Sequence, residues 1–184
     1  MEQKSESNRI LKAPLSRQAR LLLDASLRRA AMGEIRAKVR LENYADRILS
    51  QAGKIPKNKI RVRNIEAVVD TGAVMVLLPQ DLVESLGLRS AGQVIVQLAN
   101  DQRIELPRVD GVSLTVVGRE MFTDCLVGPP GCEPLIGQLV MERLDLIADP
   151  GRRTLTPRPE SPYLPTLKLK ALAATPLCGA LPVS

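Results

Sequence analysis

The chain of 184 residues contains no histidine and no tryptophan, and aromatic residues make up only 2% of it. The absence of histidine excludes Ser-His-Asp and Cys-His hydrolases, and it excludes zinc sites built on the H-E-x-x-H helix. An enzyme of this composition must use carboxylates, lysines or thiols. The hydrophobic fraction of 45% supports a packed core, which must be aliphatic because aromatic rings are so few.

Cysteine is scarce as well, and the three cysteines are Cys125, Cys132 and Cys178. An odd count without C-x-x-C spacing fits neither a disulfide framework nor a zinc site. Unpaired thiols are typical of a reducing compartment, so we predict a cytoplasmic protein that needs no metal and no cofactor. No apolar run approaches the about 20 residues of a membrane-spanning helix. The segment Leu21 to Leu27 is interrupted by Asp24 and flanked by arginines, which makes it a poor signal peptide.

The formal net charge of +6 lies in the two ends of the chain. Residues 1–31 carry seven basic and three acidic groups, residues 158–184 carry a net charge of +2, and residues 32–157 carry none. A nucleic-acid-binding domain is expected to carry its positive charge on a folded face, with aromatic rings for stacking. We therefore expect no nucleic-acid partner. The division predicts a basic extension (1–31), one folded domain (32–157) and a proline-rich tail (158–184).

Within the extension, apolar residues recur at helical spacing from Ser16 to about Ala31, with arginines on the opposite side. This pattern predicts an amphipathic basic helix. Such a helix can be solvated or pack in a dimer, and contact of residues 16–31 with a membrane surface is an alternative. Met32-Gly33-Glu34-Ile35 also resembles a natural start, in which case residues 1–31 are an upstream extension.

From Glu34 the apolar period changes to two, because Ile35, Ala37, Val39 and Leu41 alternate with charged residues. This alternation predicts a half-exposed strand. A helical turn is predicted over Asn43 to about Ala52, and it should end near Gly53. Pro79 and Gly87 predict the start and end of a short helix over Gln80 to Leu86.

The rest of the domain reads as many short strands joined by turns. Strands are predicted at Ile60 to Asn64, Ile65 to Val69, Val94 to Leu98, Gln102 to Leu106, Val112 to Val117 and Met121 to Val127. Turns are predicted at Ala99-Asn100-Asp101, Val109-Asp110-Gly111 and Gly118-Arg119. A second helix is expected over about Gln138 to Leu144, followed by a hairpin of Leu144 to Ala148 with Thr154 to Thr156. This succession predicts a mostly-β sandwich or barrel.

One carboxylate stands out because it interrupts two apolar segments. Asp70 lies within Ala67-Val68-Val69-Asp70-Thr71-Gly72-Ala73, and an apolar run from Val74 to Leu78 follows. Such segments bury themselves, and a buried carboxylate without a partner is costly. We therefore expect Asp70 to have hydrogen-bond partners or a chemical role. The plain structural alternative is a carboxylate that caps a turn and accepts from the amides of Gly72 and Ala73.

The segment Ala67 to Ala73 resembles the catalytic loop of retropepsin-like aspartic proteases. Leu135-Ile136-Gly137, followed by a short helix and a strand, resembles their hydrophobic-hydrophobic-glycine motif, although Leu135 and Ile136 alone could be ordinary core. The resemblance covers about residues 34–157 and is closest to small, single-domain bacterial members. It implies a closed β-barrel or sandwich with one or two short helices, and aspartic endopeptidase activity.

The chain has only one Asp-Thr-Gly, and Asp149-Pro150-Gly151 lacks both the hydroxyl and a backbone donor. Peptide hydrolysis without metal or histidine needs a base and an acid, and two adjacent carboxylates that share a proton supply both. The resemblance thus implies a homodimer that pairs Asp70 of two copies and cleaves a peptide or protein substrate. The alternative is a catalytically silent dimeric binding or scaffold module with the same fold.

The resemblance also implies roles for the neighbouring residues. Thr71 would link the two loops across the two-fold axis, Gly72 would let the backbone approach a carboxylate, and Gly137 would let the short helix pack beneath the loop. The hairpin of Val94 to Leu106 would cover the substrate as a flap, although its tip at Ala99 to Gln102 lacks the usual glycines. The residues expected to bind an extended apolar peptide are Ala73, Val74, Ala99, Asn100, Asp101, Leu135, Ile136 and Gly137.

Overall fold

A computed structural model describes residues 34–167. The predicted helix of residues 16–31, Cys178 and most of the proline-rich tail lie outside the described residues. The elements follow in the order β1 (Ile35–Asn43), α1 (Tyr44–Gln51), a 3-10 turn (Lys57–Lys59), β2 (Val62–Val69), β3 (Val76–Pro79), α2 (Gln80–Leu86), β4 (Arg89–Gln97), β5 (Arg103–Val116), β6 (Arg119–Gly128), β7 (Leu135–Ile136), α3 (Gln138–Arg143), β8 (Leu146–Asp149) and β9 (Thr154–Pro157).

The strands confirm the mostly-β class, and six of them close into a ring. The order is β1-β2-β7-β3-β6-β5, and β5 pairs back onto β1, while β4 adds to the other side of β5. Most neighbours are antiparallel, but β2 runs parallel to β7 and β3 runs parallel to β6. The three short helices of the described residues match the helical segments that were predicted over residues 43–52, 80–86 and 138–144.

The alternation of apolar and charged residues in β1 matches its burial. Ile35, Ala37, Val39 and Leu41 are buried, and the charged residues between them point outward. Asn43 ends the strand and caps α1, because its side chain accepts from the Asp46 amide at 3.0 Å. The helical turn predicted over residues 43–52 is therefore confirmed.

The structure corrects one predicted turn. Val109-Asp110-Gly111 does not separate two strands, because β5 runs unbroken from Arg103 to Val116. The pairing of β5 with β6 shifts register between Val109 and Val112, and Gly111 adopts a positive φ of 80°. The Asp-Gly pair thus forms a bulge within a long bent strand. Likewise, the two segments predicted over residues 60–69 form the single strand β2.

The buried side chains form two clusters. The larger one fills the ring and is aliphatic, with Leu41, Leu114 and Val140 fully buried. The smaller one lies beneath the β4–β5 hairpin and is built on Leu77, Ile104, Leu106, Leu126 and Leu135. Within residues 34–167 no helix is long and apolar enough to cross a bilayer.

The chain leaves the domain through a short strap, which we define as residues 158–167. The buried Arg119 donates to the carbonyl oxygens of Leu144 (2.5 Å) and Asp145 (2.8 Å), and to that of Ser161. The Asp145 carboxylate accepts from the Ser161 hydroxyl, from Arg158 Nε at 2.8 Å and from the Thr166 amide at 3.1 Å. The strap is therefore fixed to the segment between α3 and β8.

Candidate active site

The loop that follows β2 holds Asp70 by its backbone and its side chain. The Asp70 amide donates to the Ile136 carbonyl at 3.0 Å, which ties the loop to β7. The Gly72 amide donates to Asp70 Oδ1 at 2.8 Å. The Ala73 amide instead donates to the Asp70 backbone carbonyl at 3.3 Å. Of the two amides expected to bind the carboxylate, only that of Gly72 does so. Both hydrogen bonds fix the shape of the turn.

Asp70 itself is half-buried rather than buried in the single chain. Val69 before it is 8% exposed, but Thr71 and Gly72 after it are exposed. Val74, which was expected to begin a buried run, is 66% exposed, and burial resumes at Val76. The loop therefore presents the Asp-Thr-Gly tripeptide and one apolar side chain to the surface.

Gly72 allows a close approach to the carboxylate. A Cβ atom at this position would lie 3.2 Å from Asp70 Oδ1, which is tighter than ordinary van der Waals contact. A larger residue would therefore crowd the oxygen that the Gly72 amide binds. The resemblance implied that the Gly72 backbone approaches a carboxylate, and in the single chain it approaches Asp70 of its own loop.

The Leu-Ile-Gly segment supports the loop from beneath. The first amides of α3, those of Gln138 and Leu139, donate to the carbonyls of Ala73 and Val74 at 2.7 and 3.1 Å. A Cβ atom at Gly137 would lie 2.6 Å from the carbonyl oxygens of Ala73 and Met75. Only glycine fits there, because the neighbouring backbone leaves no space for a side chain. The close packing predicted for Gly137 is present.

The β4–β5 hairpin ends in a tight turn. Its turn is closed by Leu98 N–H donating to the Gln102 carbonyl at 2.8 Å and by Asp101 N–H donating to the Leu98 carbonyl at 2.9 Å. Asn100 Oδ1 accepts from the Gln102 amide at 3.2 Å, and Asp101 adopts a positive φ of 62°. Asn and Asp thus form the turn without glycine.

The smaller hydrophobic cluster joins this hairpin to the Asp70 loop. Partly buried side chains of Val94, Val96 and Leu98 pack on it from the hairpin, and Ala73 and Met75 pack on it from the loop. Leu135 is a buried member of the cluster. The structure thus brings Ala73, Leu135 and the hairpin strands together.

The remaining predicted substrate residues lie elsewhere. Ile136 is 1% exposed and belongs to the larger cluster, so in the single chain it is a core residue. Ala99, Asn100 and Asp101 are exposed at the hairpin turn, beyond the smaller cluster. Met75, Ile104, Leu106 and Leu126 were not singled out from the sequence. The alternation of Ile104 and Leu106 on one face of β5 was the available signal.

Other reactive groups are poorly placed for chemistry. Burial raises the pKa of the Cys125 thiol above its ordinary value and keeps it neutral. Among residues 34–167, no group of three or more histidine, cysteine, aspartate or glutamate side chains could hold a metal ion. Asp70 is thus a half-buried carboxylate on a loop that packs, through Ala73 and Met75, on the smaller hydrophobic cluster.

A family of known proteins matches the middle of the chain. Residues 52–142 match a family model described as aspartyl protease. The matched segment includes the Asp70 loop, the β4–β5 hairpin and Gly137, but it omits β1. No curated protein matches the chain.

Proposed function

Residues 52–142 place this chain in the retropepsin-like aspartyl protease family, and from that premise we propose that it is an aspartic endopeptidase active as a homodimer. The family supports a protease-like function in general. The proposal adds that Asp70 of two copies forms the catalytic pair, and that Thr71 links the two loops across the two-fold axis.

The chemistry follows from two carboxylates held close together. Both cannot ionise easily, so the pair shares one proton and titrates as a unit. The ionised carboxylate takes a proton from a water molecule, which attacks the peptide carbonyl. The protonated carboxyl then delivers its proton to the leaving amine. Gly72, whose amide already binds Asp70 Oδ1, keeps each carboxylate oriented for this exchange.

One observation carries the dimer proposal. The chain has a single Asp-Thr-Gly, and this tripeptide lies on a loop whose Thr71 and Gly72 are exposed. An exposed loop of this kind can contact the same loop of a second copy of the chain. The exposed Val74 beside it adds apolar area that a partner loop or a substrate can cover.

The substrate we propose is an extended peptide with apolar side chains. The hairpin turn lies beyond a cluster lined by Ala73, Met75, Val94 and Val96, and these side chains are only partly buried. Apolar peptide side chains would complete their burial. The hairpin would then act as the cover, with Ala99, Asn100 and Asp101 at its tip.

The test is a mixing experiment with Asp70→Asn. A fixed amount of wild type is mixed with increasing Asp70→Asn, and cleavage of a peptide library is measured. If each site needs Asp70 from both copies, equal amounts lower the activity to about half and a ninefold excess lowers it to about a tenth, because copies exchange into mixed dimers. A site that is complete within one copy would leave the activity unchanged.

The matched control is Asp110→Asn, which changes an exposed carboxylate on β5. This variant should remain active and should add to the wild-type activity in the same mixture. Light scattering on each variant separates loss of the dimer from loss of chemistry. A wild-type dimer that cleaves nothing from acid to neutral pH would favour the alternative, a silent binding or scaffold module.

A further inference from the structure

We propose that the end of α1 and the loop that follows it bind the surface of an anionic lipid membrane. This region, which we call the basic tip, comprises residues 48–60. The proposal is independent of the protease activity, because β2 separates the tip from Asp70 by about 23 Å at the usual rise of a strand.

The charge of this region is one-sided. Between Asp46 and Glu66 the chain carries six basic residues and no acidic residue. Arg47 is paired with Glu42 and Glu120, and Arg61 is paired with Asp46. Lys54, Lys57 and Lys59 are exposed and form no ion pair with any residue between 34 and 167. Arg63, the sixth basic residue, donates to the carbonyls of Val62 and Ser85. Three lysines therefore remain free for a partner.

The tip also exposes aliphatic side chains. Ile48 and Leu49 on α1 are each 43% exposed. The Lys54 amide donates to the Leu49 carbonyl at 2.8 Å, so the backbone of the first free lysine lies beside that of Leu49. Lysines beside exposed aliphatic groups suit a lipid interface, where the cations meet headgroups and the apolar groups enter the acyl boundary.

The tip is held in shape by the protein. Arg61 donates to both oxygens of the Asp46 carboxylate, at 2.6 and 2.7 Å, and its amide donates to the same group at 3.1 Å. These bonds hold the pKa of Asp46 below its ordinary value. The loop therefore returns to β2 at a fixed point, and the three lysines are presented on an ordered turn rather than on a tail.

Two further observations favour lipid over nucleic acid. Residues 45–65 contain no aromatic side chain, so the tip offers no platform for stacking bases. Residues 32–157 have no net charge, so acidic groups elsewhere balance the tip. Positive charge is thus concentrated at one end of the domain, and an anionic surface would orient the domain with the tip facing that surface.

The experiment compares the full chain with Lys54→Gln/Lys57→Gln/Lys59→Gln by co-sedimentation with vesicles of phosphatidylcholine, with and without phosphatidylserine. Wild type should bind only vesicles that contain phosphatidylserine, and more weakly as salt increases. Each lysine contributes about fivefold, so the triple variant should bind about a hundredfold more weakly. Residues 1–31 are present in both proteins, so any contribution from them is common to both.

The matched control is Lys38→Gln/Arg143→Gln/Arg152→Gln, which removes the same charge from exposed positions outside the tip. It should bind like wild type. Ile48→Ser/Leu49→Ser should lose the binding that persists at high salt. Three outcomes would each overturn the proposal. The tip variant could bind vesicles as strongly as wild type, the control could lose as much binding as the tip variant, or the protein could bind nucleic acid in place of vesicles. Unchanged thermal unfolding of each variant excludes misfolding.

Discussion

At the scale of single residues, Gly137 links the two motifs of the site. Its missing side chain lets the first amides of α3 reach the carbonyls of Ala73 and Val74. Asp70 is tied to the residue before Gly137, since the Asp70 amide donates to the Ile136 carbonyl. The position of the carboxylate therefore depends on backbone packing against a glycine.

We expect Gly137→Ala to lower the free energy of unfolding by about 1–3 kcal/mol, because the added methyl group overlaps two carbonyl oxygens and the backbone must move. Cleavage activity should fall further than stability, since the moved backbone carries Ala73 of the Asp70 loop. Urea unfolding and peptide cleavage measure the two effects. Gly151→Ala is the control: its Cβ would lie 3.3 Å from one oxygen of the partly exposed Asp149 side chain, which is free to move, so stability should change by less than about 0.5 kcal/mol.

At the scale of elements, the β4–β5 hairpin turns on polar residues where glycine would be usual. Asp101 takes the left-handed conformation, and its carboxylate accepts from Gln97 Nε2 at 2.9 Å. Aspartate and asparagine tolerate this conformation, whereas β-branched residues do not. The turn therefore holds a defined geometry at the position where a cover for the substrate is proposed.

Asp101→Val should loosen the hairpin by about 1–2 kcal/mol, the cost of a left-handed conformation for a residue with a branched Cβ. Hydrogen exchange of the Leu98 amide, which closes the turn, should accelerate. If the hairpin covers the substrate, KM should rise while the dimer persists. Asp101→Asn should behave like wild type, and equal exchange rates in all three proteins would contradict this account of the turn.

The sequence predicted those elements whose structure is determined by neighbouring residues, and it failed where contacts with distant segments decide. The alternation in β1 was decisive because one face is buried along its whole length. Asp110-Gly111 suggested a turn, but the continued pairing of β5 with β6 made it a bulge, which no local pattern reveals. The Asp70 loop and Gly137 were found because their motifs are short and contiguous. The contact of Ala73 with the hairpin cluster joins distant segments and required the fold.

At the scale of the whole molecule, the strap of residues 158–167 is fixed through Asp145. This carboxylate is 7% exposed, and hydrogen bonds from Ser161 and Arg158 lower its pKa from 3.8 to about 2. A carboxylate with a lowered pKa stabilises the folded state above its unfolded pKa, and the stabilisation is lost as pH falls through the folded value. The strap should therefore hold at neutral and mildly acidic pH and weaken in strong acid.

Comparison with Asp145→Asn isolates this contribution, because Glu42, Asp46 and Glu120 also have lowered pKa values and affect both proteins equally. We expect wild type to be more stable by a constant margin from pH 7 to about pH 5. The margin should shrink between the two pKa values, 3.8 and about 2. Urea unfolding at each pH provides the measurement, and a margin that stays constant down to pH 2 would show that ionised Asp145 does not hold the strap.

The ring of strands has a consequence for any shortened form of the protein. β1 pairs with β2 on one side and with β5 on the other, yet it lies before the segment that matches the family. A fragment that began at residue 52 would lose this strand and open two rows of backbone amides and carbonyls at once. Unpaired strand edges of this kind recruit strands from other molecules and promote aggregation. A shortened form that keeps the ring of strands closed must therefore begin at or before Ile35.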